Sequence, residues 1–103
     1  INEFGGAIRE TYGVPVEEIQ RGIKHGVRKI NVDTDNRLAI TGAIRKVFSE
    51  SPEAFDPRKY LTPAREAMAE VVKARMIAFG QAGQADKIPS VTLADMASSY
   101  AAP

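Results

Sequence analysis

Apolar residues along this chain recur at helical spacing in four stretches, and one short run between the first two keeps no helical period. From Pro15, Val16, Ile19 and Ile23 form a stripe with Glu17 and Glu18 at its head and Lys24 and His25 at its tail. Proline in the first turn, acids at the positive end and bases at the negative end predict a helix that stops at Gly26. Ile40, Ala43, Ile44, Val47 and Phe48 follow i, i+3, i+4, i+7, i+8, so a second helix is expected from about Asn36 to Phe48. Arg37, Thr41, Arg45 and Lys46 fall off that stripe.

Ser51-Pro52 and Asp56-Pro57 punctuate a loop with short turns. Thr62-Pro63 reads as a cap and first turn of a third helix, continuing through Ala67, Met68, Val71 and Val72 to Phe79 and ending at Gly80. Gln81 to Pro89 reads as loop, and Thr92 caps a last helix from Leu93 to about Tyr100. Gly5-Gly6 and Tyr12-Gly13 interrupt the first 13 residues, leaving room for one helical turn near Ile8-Arg9-Glu10.

The remaining run, Val27 to Val32, is short and rich in β-branched residues, and it lies between Gly26 and the cluster Asp33-Thr34-Asp35. It predicts a strand between two helices, the αβα rhythm of a parallel α/β fold. A single strand has no partner of its own. Its backbone donors and acceptors must pair with a larger body or with another copy.

Composition narrows the function classes. Fourteen Lys and Arg against 13 Asp and Glu leave a net charge of +1, too balanced for a nucleic-acid footprint or an anionic-membrane anchor. No cysteine is present, which removes disulfides and thiolate metal sites and fits a reducing cytoplasm. No apolar run approaches the ~20 residues of a membrane-crossing helix, so no membrane partner is expected. The lone His25 cannot build a multi-imidazole metal site, and at a helix C-terminus it complements the dipole. Met68, Met76 and Met96 read as packing residues.

The chemistry-bearing candidates cluster after the expected strand. Asn31, Val32, Asp33 and Thr34 would stand at its C-terminal end, where a following helix N-terminus favours phosphate. The carboxylates of Asp33 and Asp35 oppose an anion, so phosphate contact should come from backbone N–H groups and the Thr34 hydroxyl. On pattern alone, Asp33, Thr34, Asp35 and Asn36 serve as well for capping the next helix. Arg58, after Asp56-Pro57, offers a permanently charged bidentate grip on phosphate, or it is simply an exposed arginine in a first helical turn.

The run Gly26 to Asp35, Gly-Val-Arg-Lys-Ile-Asn-Val-Asp-Thr-Asp, together with Asp56-Pro57-Arg58, resembles the C-terminal part of class II, zinc-dependent fructose-bisphosphate aldolases. The resemblance covers essentially the whole chain and is sharpest over residues 26–39 and 56–58. It implies the C-terminal segment of a TIM (β/α)8 barrel: a last strand, its following helix and a helical extension. Residues 1–50 would complete the barrel and residues 51–103 would form the extension. A whole barrel needs roughly 250 residues, and the chain starts at Ile1 and not at Met, so the last piece of a longer enzyme is expected.

The resemblance further implies roles. Asn31 would be catalytic, its amide stabilising the enediolate formed as the C3–C4 bond breaks. Asn31, Val32, Asp33 and Thr34 would contact substrate, the last two at the phosphate of dihydroxyacetone phosphate. Arg58 would bind the other phosphate, reaching in from a neighbouring subunit, with Asp35 and Asp56 in support. Zinc would be the cofactor, but the His-Gly-(Gly/Ser)-Ser stretch that carries one of its ligands is absent, so all ligands are expected outside this chain. The implied partners are sugar bisphosphate and triose phosphates, the rest of the barrel, and further copies in a homodimer or homotetramer. The fragment alone would be inactive.

Tyr12-Gly13-Val14-Pro15-Val16 and Gly5-Gly6 resemble the longer, Calvin-cycle-type branch of the family. Two alternatives remain: an aldolase acting on tagatose bisphosphate, and a non-catalytic helical oligomerisation module.

Overall fold

The computed structural model describes residues 1–10 and 13–101; Tyr12, part of the branch-type stretch, lies outside them. Four α-helices follow in order, α1 Val16–Lys24, α2 Thr34–Glu50, α3 Pro57–Ala78 and α4 Leu93–Ala101, with short 3-10 turns at Asn2–Phe4 and Ala85–Lys87.

Helix α1 runs as the sequence predicts and closes in a Schellman arrangement. Gly26 takes φ 108°, its N–H reaches the Ile23 carbonyl at 3.3 Å, and the Val27 N–H reaches the Gly22 carbonyl at 3.0 Å. The same closure ends α3. Gly80 N–H meets the Ile77 carbonyl at 3.1 Å and Gln81 N–H meets the Met76 carbonyl at 2.8 Å. Thr92 caps α4 reciprocally with Asp95: the Asp95 N–H donates to Thr92 Oγ1 at 3.1 Å, and the Thr92 N–H donates to Asp95 Oδ2 at 3.1 Å.

One expectation is not met within this segment by itself, and two more are corrected. No strand occurs among the described residues, so the structure is all-helical where an α/β segment was expected. A lone strand has no ladder to join. The Val27 N–H is consumed by the α1 closure, and the Val27 carbonyl accepts from Arg28 Nη1 at 3.0 Å. The rest of the run finds no second strand to pair with. Second, α3 begins at Pro57 and not near Thr62. Asp56 Oδ1 accepts from the Arg58 N–H at 3.0 Å and Pro57 fills the first position, so the helix nucleates five residues earlier and passes through Pro63. Third, the early turn lies at Asn2–Phe4, where the Phe4 and Gly6 N–H groups both reach the Ile1 carbonyl, and residues 8–10 are irregular.

Proline inside α3 forfeits the hydrogen bond to the Lys59 carbonyl. Packing against α2 offsets that loss. Tyr60, Ala64, Ala67, Met68, Val71, Ala78 and Phe79 form its less exposed stripe, and α2–α3 is the main interhelical contact. Ala64 is the buried point, at 2% exposure, where a small side chain lets the backbones approach. The Phe48 and Tyr60 rings, 4.9 Å apart and tilted 51°, close the end of this pair. Arg45 Nη1 donates to the Gly5 carbonyl at 3.0 Å and ties the N-terminal loop to α2. Gly6 is obligatory there, because a Cβ would lie 2.6 Å from Ile1 Cγ2 and 2.8 Å from its carbonyl oxygen.

The radius of gyration is 19.4 Å, against about 13 Å for a compact chain of ~100 residues. Phe55 and Leu93 are each 90% exposed, and Ile88 is 72% exposed. The connecting segments and α4 therefore carry apolar surface that this segment does not itself cover.

Candidate functional site

An open cleft of ≈ 560 Å³ lies between the start of α1, the head of α2 and the last turns of α3. Val14, Pro15, Val16 and Ile19 form one apolar wall. Asn31, Asp33, Thr34 and Asp35, with Ile30 and Val32 between them, supply a polar edge, and Arg75 and Phe79 line it from α3. Gln20 Nε2 donates to the Ala78 carbonyl at 3.0 Å and holds α1 to the end of α3, so the wall is anchored.

Asn31 is exposed at this edge, and its Oδ1 accepts from Lys29 Nζ. Its Nδ2 bonds to no acceptor among the described residues, so the donor half of the amide is what the cleft receives. Asn36, one turn into α2, donates from Nδ2 to the Val32 carbonyl at 3.3 Å and fixes the segment that carries Asn31. Asn36 Oδ1 is buried without a partner among the described residues.

Asp33 is the N-cap residue of α2, but its side chain makes no capping bond. Its carboxylate turns instead to Arg37, at 2.9 Å from Nε and 2.8 Å from Nη2. The capping alternative therefore does not describe Asp33, and the first N–H groups of α2 stay open at the cleft edge. Thr34 opens the helix, exposed. Asp35 is paired across the cleft with Arg75, whose Nε and Nη2 both donate to Oδ2, at 3.0 Å and 2.5 Å.

The fold thus brings Asn31, Val32, Asp33, Thr34 and Asp35 to one cleft, and it leaves Arg58 and Asp56 outside its lining. Arg58 is exposed, folded onto Asp56 through Nε at 3.0 Å and Nη2 at 2.6 Å. The guanidinium of Arg58 holds the Asp56 carboxyl below its usual range, aided by the Arg58 backbone N–H and by Lys59. Arg58 is raised in turn by the same carboxylate.

Sequence reasoning missed Arg75. The signal was present: on α3 it follows Met68 and Val71 and precedes Ala78 and Phe79 on the same stripe, a cation among apolar positions. His25 is an exposed residue at the α1 C-cap. No group of three or more His, Cys, Asp or Glu side chains that could hold a metal exists among the described residues. The residues present therefore do not fit a resident zinc ion.

Fold and cleft define a helical segment that presents a polar turn beside an apolar wall. The family model described as fructose-bisphosphate aldolase class-II matches residues 8–84. Similar curated relatives include a fructose-bisphosphate aldolase of Nostoc sp., 58% identical over 101 residues, and a fructose-bisphosphate aldolase class 2 of Synechocystis sp., 59% identical over 101 residues. Each match covers 98% of this chain and 28% of the relative. A fructose-bisphosphate aldolase 2 sequence of Rhodobacter capsulatus is 56% identical over 101 residues, 98% of this chain and 89% of the relative. The chain belongs to the class II fructose-bisphosphate aldolase family. It spans about 28% of the length of the Nostoc and Synechocystis relatives.

Proposed function

We propose that this chain is the C-terminal segment of a metal-dependent aldolase that reversibly cleaves fructose 1,6-bisphosphate to dihydroxyacetone phosphate and glyceraldehyde 3-phosphate. Residues 27–32, which form no strand by themselves, would join the neighbouring strands of a (β/α)8 barrel completed by residues 1–50, with 51–103 as a helical extension. Placed so, the polar edge from Asn31 to Asp35 stands at a barrel mouth.

The carrying observation is the state of that edge. Lys29 occupies the acceptor of Asn31 and leaves the amide N–H free, and Asp33 is turned onto Arg37 and away from the α2 N–H groups. Asn31 would donate to the oxygen that gains negative charge as the C3–C4 bond breaks. An uncharged donor suits that position, because it stabilises developing charge and carries none itself. The backbone from Val32 to Thr34 and the Thr34 hydroxyl would receive one phosphate, with Asp33 and Asp35 held neutralised beside it.

Arg58 would grip the second phosphate of a neighbouring copy, exchanging Asp56 for the ligand. The zinc that the family implies would be held by residues outside this chain, and no step here passes through it. Apolar residues left uncovered on α3 and α4, Ile77 at 60% and Leu93 at 90% exposure, support the extension as a contact surface in a homodimer or homotetramer. No helix among the described residues is long and apolar enough to cross a membrane; a cytoplasmic location is part of the proposal. The branch of the family is proposed to be the Calvin-cycle type.

The test is aldol cleavage by the full-length enzyme with and without Asn31→Ala. Loss of turnover at unchanged metal content is expected. Unchanged turnover would leave the helical oligomerisation module as the better reading, and faster cleavage of tagatose 1,6-bisphosphate would shift the substrate.

A further inference from the structure

Thr34 is flanked by two carboxylates, and each has its own guanidinium. Asp33 is served by Arg37, four residues on and on the same exposed helical face. Asp35 is served by Arg75, 40 residues away on α3. The second arrangement is the unexpected one. Arg75 occupies a position on the packing stripe of α3 where Val71, Ala78 and Phe79 are apolar, and packing alone would be satisfied by leucine or methionine. Its side chain is 29% exposed, less than the 42% of Asp35, so the cation is the more sheltered partner.

Both Arg75 donors converge on one oxygen, Asp35 Oδ2, and Arg75 lines the same cleft as Asn31, Asp33 and Thr34. Asp35 lies in the first turn of α2, beside the N–H groups that Asp33 leaves uncapped. Without a cation at Asp35, a carboxylate would stand unpaired within the edge that has to accept an anion. Its Coulombic opposition acts over a few ångströms in a partly sheltered cleft.

We propose that Arg75 is a positioning residue for the anionic end of the substrate: it draws the Asp35 carboxylate onto α3 and neutralises it, so that phosphate can approach the head of α2. This rests on the aldolase reading above. Arg75 touches neither substrate nor reacting atoms in this account, so its effect falls on affinity and not on bond cleavage.

The experiment measures KM and kcat for fructose 1,6-bisphosphate, and competitive inhibition by inorganic phosphate, in the full-length enzyme. Arg75→Met should raise KM and the phosphate inhibition constant roughly tenfold, with kcat altered by less than about threefold. Arg75→Gln, which keeps a donor for Asp35 but no charge, should show the same rise; it is also the variant to read if Arg75→Met does not fold. Adding Asp35→Asn to Arg75→Met should bring KM most of the way back, because the opposing charge is gone.

A structural prop would behave differently. If Arg75→Met and Arg75→Gln lower kcat as much as they raise KM, and Asp35→Asn restores nothing, the proposal is overturned. Asn31→Ala serves as the control. If it loses kcat while Arg75→Met and Arg75→Gln leave KM unchanged, only the positioning role fails. If Asn31→Ala turns over as wild type does, the aldolase reading fails and the role of Arg75 falls with it.

Discussion

Arg58 and Asp56 hold each other twice over: the Arg58 backbone N–H caps on Asp56 Oδ1 at 3.0 Å, and the guanidinium closes on Oδ2 at 2.6 Å. One carboxylate therefore starts helix α3 and also holds the proposed phosphate-binding cation. The two functions separate by mutation. Arg58→Ala removes the guanidinium but keeps the backbone cap, so α3 should lose less thermal stability than in Asp56→Ala, while KM for the bisphosphate rises. Asp56→Ala should lower stability by removing the cap. Steady-state kinetics and thermal melts of the two variants of the full-length enzyme check this, and an equal loss of stability in both would contradict it.

The same pair sets a pH dependence. Because the Arg58 hydrogen bond depresses the folded-state Asp56 carboxyl, its contribution to stability is complete above the ordinary aspartate range. It is lost as pH falls through the depressed folded value. Asp95, lowered by hydrogen bonds from the Thr92 hydroxyl and N–H, behaves in the same sense at the head of α4. Carbon-13 titration of labelled aspartates should find both carboxyls ionising below the usual range, with Asp56→Asn and Asp95→Asn removing one resonance each. Ordinary values for both would contradict the geometry.

Asn31→Ala should lower kcat by about 10²–10³-fold, the usual cost of deleting one donor aimed at developing negative charge. KM should move far less. Metal analysis of the same sample separates a lost donor from a lost metal, and a variant depleted of metal would not bear on Asn31.

Gly26 sits at φ 108°, where its N–H and that of Val27 close α1. Gly26→Ala forces a side chain into the left-handed region, at a cost of about 1–2 kcal/mol. A fall in denaturation midpoint is expected, together with weaker substrate binding, because the closure fixes where the Asn31 segment leaves α1. An unchanged midpoint would mean that the closure contributes little.

Ala64, 2% exposed between α2 and α3, leaves no space for growth. Ala64→Leu should cost about 1–3 kcal/mol by overpacking and shift the head of α3. Chemical denaturation measures it. Val72→Ala, at a position 38% exposed on the same helix, is the comparison and should cost less.

What the sequence by itself determined was local. Helix α1 with its glycine closure, the end of α3 at Gly80 and the Thr92 cap were legible, because side chains and glycines within a few residues fix them. The polar turn at Asn31 to Asp35 was legible as well, since a motif survives in the sequence whatever packs around it. Tertiary structure decided the rest. Whether α3 could run through Pro63 depended on its packing against α2, seen at Tyr60 and Phe48, which no local propensity encodes. Whether residues 27–32 become a strand depends on a neighbour for their backbone groups, and β-branched residues cannot supply one. That Asp35 is neutralised depended on Arg75, 40 residues away, because ion pairs between helices follow from their packing and not from spacing along the chain.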